Sequence, residues 1–401
     1  MKVNRMALYV FLLSCLLAFI AGHMVNYSII FLAVEWFDSH AIAGIGYGLC
    51  FGPPLILGWF AGVYCDRYSP RKVILVMQNS FLISLLLLFI AFNSATENRQ
   101  ILLLSAALFS GIGWSFVAPA RFAALPFYVS VKKLAGAAIA LNLMVMTGFG
   151  LAPMLLKQIK VNFDWQAVFF TSGSLFILSS CLLIPLTFHF KAKATDKALK
   201  EIKNSLIFVK QSSFLKPLLM LAAIAYLLMG PMQVLLPTIA EKTLQLNETS
   251  QGYYLSMIAV ALIMGGLIAM QLNNRGKVGL KLMLAVFIAG VGIAYLGSES
   301  NLIFSVIILF ISAACGGIAI SFIVAGLQAY SGDEHRGRVM SFYSIISQFV
   351  PAASGIAAGL FAQAYTPAIA LQVIALVIMS SVTLCFFILK GIRQLESFDH
   401  G

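Results

Sequence analysis

Almost the whole length between residues 6 and 390 is divided into apolar runs, each close to the length that a helix needs to cross a bilayer. A helix rising about 1.5 Å per residue covers a ~30 Å hydrocarbon layer in roughly 20 residues. The runs fall at 6–35, 40–63, 72–93, 100–125, 134–156, 165–189, 213–237, 249–271, 278–297, 301–329, 337–362 and 367–390. Inside hydrocarbon no water is at hand for backbone N–H and C=O groups, so such runs must be helices. The chain is therefore read as an all-α polytopic membrane protein with twelve transmembrane helices. Composition agrees, since 61% of the 401 residues are hydrophobic, against about 45 to 50% in soluble domains. The opening MKVNRMALYVFLLSCLLAFIAGH has the outline of a signal peptide, but the apolar run resumes through MVNYSIIFLAV. An uncleaved first helix fits better.

Charge then sets the orientation. Alternate loops collect Lys2, Arg5, Arg67, Arg71, Lys72, Lys132, Lys133, Arg275, Lys277, Lys281, Arg336 and Arg338, together with the cluster from Lys191 to Lys216, while the opposite loops hold Arg99, Lys157, Lys160 and Lys242. By the positive-inside rule both termini are cytoplasmic and the chain is a multi-pass protein of the cell (inner) membrane. Basic loops facing anionic lipid account for the net charge of +12, and no nucleic-acid partner is needed. The six cysteines lie scattered in apolar runs without CxxC or histidine spacing, so they read as packing residues, and neither a metal site nor a cofactor is expected. No GxxxxGK[ST] phosphate loop occurs in any cytoplasmic segment, which speaks against ATP-driven work by this chain alone. Asn247-Glu248-Thr249 is a glycosylation sequon on the outward side.

The longest hydrophilic stretch, FKAKATDKALKEIKNSLIFVKQSS, separates six apolar runs from six. It divides the chain into an N-terminal six-helix bundle (1–190), a linker (191–212) read as an amphipathic surface helix, and a C-terminal six-helix bundle with a short tail (213–401). Leu108-Phe109 recurs as Leu309-Phe310, and Gly136 as Gly337, each 201 residues on. Equal helix counts and this spacing favour two parallel six-helix pseudo-repeats.

Between the second and third runs stands GVYCDRYSPRK, from Gly62 to Lys72, with one acid and three basic groups in a chain where charged residues are 10% of the total. Gly62 permits close helix approach, Asp66 can accept from a helix N-terminus or a guanidinium, and Arg67, Arg71 and Lys72 would face water and lipid phosphates. The stretch resembles the signature loop of the major facilitator superfamily, with Ser69-Pro70 in place of the usual glycine. The resemblance implies that fold, and a conformational latch in which Asp66 reaches the start of helix eleven around Arg336 and Arg338. Three further stretches, Ala118–Asn142, Leu236–Ala269 and Glu334–Ala362, are similar to the efflux branch that contains the enterobactin exporter and macrolide exporters. Helix five departs from the exporter pattern: Gly148 and Pro153 are present and would bend the helix, but the paired glycines are not.

Few polar residues remain in the apolar runs, and each is a candidate. His23 and Asn26 share one face of helix one. Asn142, Gln233, Tyr343 and Gln348 are further candidates for lining a cavity, and helix-to-helix hydrogen bonding explains them equally. Arg121 either snorkels to the interface or lies in the substrate path. Glu35 and His23 are the candidates for carrying a proton. Together these features predict a secondary transporter, proton-coupled and exporting a small amphipathic molecule such as a siderophore or a drug-like compound, and working as a monomer. An importer of the same fold is the nearest alternative, and a polytopic membrane enzyme is the alternative from another class.

Overall fold

A computed structural model of the chain describes residues 5–130, 134–186, 207–272, 276–393 and 395. Among these, twelve helical stretches are long and apolar enough to cross a membrane, and each overlaps one of the expected runs. The region expected to form the linker helix falls outside the described residues through 206.

The chain divides into two compact units, one made of Met1–Asp196 with Asn247–Ser256, the other of Lys197–Leu246 with Met257–Gly401. The first unit contains α1 (Arg5–Phe37), α2 (His40–Phe51), α3 (Pro54–Arg67), α4 (Pro70–Phe92), α5 (Thr96–Ala124), α6 (Leu134–Asn162) and α7 (Trp165–Leu183). The second contains α8 (Leu215–Tyr226), α9 (Met229–Thr238), α11 (Val278–Leu296), α12 (Leu302–Tyr330), α13 (Gly332–Ala364), α14 (Pro367–Ile388) and the short α15 (Lys390–Arg393). Helix α10 (Glu248–Leu272) begins with residues grouped in the first unit.

Local chemistry sets the helix starts. Ser39, Asp164, Asn301 and Thr366 each accept a backbone N–H of the first turn, and Pro54, Pro70 and Pro367 stand in the first turns of their helices. Two expected single helices are instead broken. The second run splits at Gly52-Pro53, where proline removes a donor and crowds the preceding turn. The seventh splits at Leu227-Leu228 and ends in a π-helical turn over Ile239–Thr243.

Packing repeats from unit to unit. In the first, α1 lies on α6, and α4 lies on α5 and α7. In the second, α9 lies on α13, and α11 lies on α12 and α14. These are the pairs one–five, three–four and three–six counted within each group of six spans, so the sequence repeat is matched by a repeat of packing. Small residues set the spacing. A Cβ on Gly148 of α6 would stand 2.7 Å from Phe19 Cβ and 2.8 Å from the Phe19 carbonyl carbon of α1. In the second unit Gly265 meets the Ala314 carbonyl oxygen and Gly317 meets that of Leu262, so α10 and α12 approach each other backbone to backbone.

Gly148→Val is expected to force α6 off α1 at a cost of about 1–3 kcal/mol, read as a lowered thermal midpoint of the detergent-purified chain. Gly136, with nothing within 4 Å of an added Cβ, serves as the control, and Gly136→Ala should leave the midpoint in place. Equal behaviour of the two variants would refute the close contact.

Candidate functional site

Helix α1 is the centre of the first unit, packed by α2, α5, α6 and α7. Most of its neighbours are apolar, which makes its polar side chains conspicuous. His23, Asn26 and Tyr27 follow one another at helical spacing on one face. All three are buried, at 7%, 1% and 1% exposure. Asn26 Oδ1 accepts from Ser110 Oγ at 2.8 Å and from Trp114 Nε1 at 3.4 Å, both on α5. The Trp114 indole lies against Gly22, where a Cβ would stand 2.7 Å from the ring. Rings complete the surroundings: His23 lies 5.0 Å from Trp114 and edge-on to Phe149 at 5.3 Å, Tyr27 lies 6.2 Å from Phe149, and Phe19 and Phe51 flank Trp114 at 6.0 and 6.4 Å.

Within this box four buried polar atoms have no hydrogen-bond partner: His23 Nδ1, His23 Nε2, Asn26 Nδ2 and Tyr27 Oη. Leaving such a group unpaired in an apolar interior costs roughly 1–3 kcal/mol each. Evolved interiors seldom carry several such costs side by side unless something else is to meet them. The sequence pointed to His23 and Asn26, and Tyr27, Ser110 and Trp114 complete the set.

Arg121 is fully buried near the end of α5, so interfacial snorkelling is ruled out by the packing around it. Its Nη1 donates to Cys15 Sγ at 2.9 Å and Ser14 Oγ at 3.4 Å on α1, and its Nη2 to Gln78 Oε1 at 2.7 Å on α4 and Ser179 Oγ at 3.1 Å on α7. The guanidinium also lies 5.7 Å from the Phe19 ring. Ser14 and Ser179 are joined directly, each hydroxyl donating to the other residue's carbonyl at 3.0 and 2.8 Å. Four helices thus meet on one fork of donors, and every hydrogen-bond partner of the cation is neutral.

At the end of the unit where α1 stops, charges pair in a chain. Lys157 bonds Glu248 at 3.3 Å, and Lys160 bonds both Glu248 and Glu35 at 2.9 Å. Trp165 Nε1 donates to the two Glu35 oxygens at 3.1 and 3.2 Å. Lys157 also stands over Phe31 and Lys160 over Trp165. Glu35 is thereby a member of an ion chain, which the sequence could not show because its partners lie more than a hundred residues away.

The other expected residues are dispersed. Tyr343 shares a 2.7 Å hydrogen bond with Tyr226, Gln348 turns to Ser344 of its own helix, Gln233 is buried and Asn142 is exposed. In the loop, Arg71 is half-exposed and donates to the carbonyls of Leu183 and Ile184 at the end of α7. Arg67 and Lys72 are exposed. The surroundings of Gly62 and the side chains of Asp66, Arg336 and Arg338 lie outside the described residues, and the latch with them. Pro153 sits within an unbroken α6. Cys15, Cys50, Cys65 and Cys385 are buried, Cys15 as an acceptor for Arg121, whereas Cys315 is half-buried and Cys181 is exposed. The second unit holds a small apolar pocket of about 40 Å³ between Leu228, Met229, Met232, Leu262, Ser312 and Ile320. Among the described residues no three metal-ligating side chains come together.

Comparison with known proteins agrees with this architecture. The family described as Major Facilitator Superfamily matches residues 10–355. A bacterial homolog of the human lysosomal transporter Spinster superposes with a TM-score of 0.70 at 12% identity, over 98% of this chain and 96% of that one. A peptide-bound POT family transporter gives 0.77 at 10% identity over 96% of each chain, and a nucleoside transporter gives 0.73 at 12% identity over 96% of this chain and 99% of that one. At these identities the likeness is one of fold. No curated protein matches the sequence.

The ion chain makes a direct prediction. Lys160→Glu sets three carboxylates together and should lower the thermal midpoint at low salt, an effect that shrinks in 1 M salt as screening shortens to about 3 Å. Glu248→Lys in the same chain should recover much of the loss. An unmoved midpoint in the single variant would show that the pairing contributes nothing.

Proposed function

The chain belongs to the major facilitator superfamily, and we propose that it is a proton-coupled secondary transporter that exports a small amphipathic molecule by alternating access. The observation that carries this reading is the face of α1 with its unpaired atoms at His23, Asn26 and Tyr27. Polar groups inside a membrane bundle are costly, and where they stay unpaired within aromatic walls they suit a cargo that is part polar and part flat hydrocarbon. Export is supported by the resemblance of Ala118–Asn142 and of the two later stretches to efflux proteins. A siderophore or an antibiotic-like compound has the required mixture of rings and polar atoms.

For coupling, His23 is the better of the two candidates. It is a titratable group in mid-helix with both ring nitrogens unpaired, faced by Trp114 of α5 and Phe149 of α6. Glu35 is half exposed and already bound to Lys160 and Trp165. An entering proton supplies about 2.3 kcal/mol per 100 mV of membrane potential, and about 1.4 kcal/mol more per pH unit of gradient. One proton therefore sustains a cargo gradient of at least about tenfold.

The test is an untargeted mass-spectrometric comparison of cytosol and medium from host cells with and without the gene. The expected result is a compound that accumulates inside and disappears from the medium when the gene is lost. A compound that stays in the medium and is missing from the cells would reverse the direction to import. Identical profiles under iron-replete and iron-starved growth would remove the transport reading. In proteoliposomes loaded with that compound, His23→Gln should abolish the response to an imposed pH gradient, whereas Glu35→Gln should keep it.

A further inference from the structure

Resting on the reading of the α1 face as the cargo site, we infer that the cargo bound there is a planar aromatic anion, an arene bearing a carboxylate or phenolate oxygen. The argument has three independent parts. The first concerns hydrogen-bond polarity. Indole Nε1 can only donate, so the end of the Asn26 amide that faces Trp114 and Ser110 must be its oxygen. The free end is then the NH₂ group, which offers two donor hydrogens, while neutral His23 adds one and the Tyr27 hydroxyl another. A site richer in free donors than in acceptors calls for oxygen acceptors on the ligand.

The second part concerns charge. Among the described buried residues of this unit Arg121 and Lys157 are cationic and no Asp or Glu is present. Lys157 is matched by Glu248. Arg121 is surrounded by the neutral groups of Ser14, Cys15, Gln78 and Ser179, so its charge is not offset. One ring separates it from the site: the guanidinium stands over Phe19, and Phe19 stacks on Trp114. In a medium of low dielectric this positive field favours an anion beside Trp114 and opposes a cation. The third part concerns shape. Trp114, Phe149, Phe19 and Phe51 present ring faces and edges that suit offset stacking on a flat ligand. Such a ring box can also hold quaternary ammonium groups, but here the free N–H donors and Arg121 reject that alternative.

The test uses the full-length chain purified in detergent, with benzoate and 1-naphthoate as probes and cyclohexanecarboxylate and benzyltrimethylammonium as counter-probes, binding being measured by calorimetry. Benzoate and naphthoate are expected to bind and the counter-probes to bind at least tenfold more weakly. Asn26→Asp keeps an oxygen for Ser110 and Trp114 while replacing the free N–H donors with negative charge. It should weaken benzoate by at least about tenfold, the loss of a hydrogen bond to a charged partner, and should strengthen benzyltrimethylammonium. Tyr27→Phe, which keeps the ring, should weaken benzoate several-fold. Benzoate binding unchanged in Asn26→Asp would overturn the inference, as would cyclohexanecarboxylate or benzyltrimethylammonium binding as tightly as benzoate. No binding of either aromatic acid at millimolar concentration also overturns it. Each of these failures leaves the transport reading standing, because that reading is decided separately by the cell comparison.

Discussion

Everything in this chain follows from the lack of water as a partner for hydrogen bonds inside a bilayer. Backbone groups answer that constraint by forming helices, and side chains answer it by finding one another. Ser14 and Ser179 exchange hydrogen bonds across 165 residues of sequence, Gln78 reaches Phe176 and Ser180, and Tyr226 meets Tyr343. Against that background of settled polar groups the unpaired atoms of His23, Asn26 and Tyr27 stand out. Other such atoms occur singly, at Arg121 Nε, Thr238 Oγ1 and Ser312 Oγ, whereas four fall together on this face of α1.

The two units carry out the same packing scheme with different chemistry. In the first, a guanidinium, serines, a glutamine and a ring box fill the space around α1. In the second, a small pocket beside α8 and α9 is lined mainly by apolar side chains including two methionines, and a phenolic pair and the buried Gln233 lie on the same helices or their neighbour. A repeat of backbone arrangement therefore does not carry a repeat of site.

The spans were legible because length and apolarity act locally, and a residue's own neighbours in sequence report on both. Gly52-Pro53-Pro54 also announced a break, but the unbroken hydrophobicity from Ala41 to Val63 concealed it. Nothing in Leu227-Leu228 marks the second break, which belongs to tertiary packing. The site was half legible. Spacing put His23 and Asn26 on one face, and Tyr27 one residue further on was available to the same reasoning. The partners of Arg121 and Glu35 were illegible for a common reason: they come from other helices, so no local pattern tells a paired charge from a free one. Asn142 shows the reverse case, a polar residue in an apolar run that is exposed.

The Arg121 junction also has a bearing on biogenesis. Its partners come from α1, α4 and α7, so the first and last spans of the opening six must both be present before the two Nη groups have all of them. At about 5–20 residues per second of synthesis, Ser14 waits on the order of ten seconds or more for Ser179 to emerge. Arg121 itself is made after Ser14, Cys15 and Gln78, so for roughly the last 3–12 seconds of that interval its helix stands beside the nascent bundle with Ser179 alone still to come. The sixth span is thus the one that completes the junction, and the first unit cannot close around Arg121 until α7 has been made.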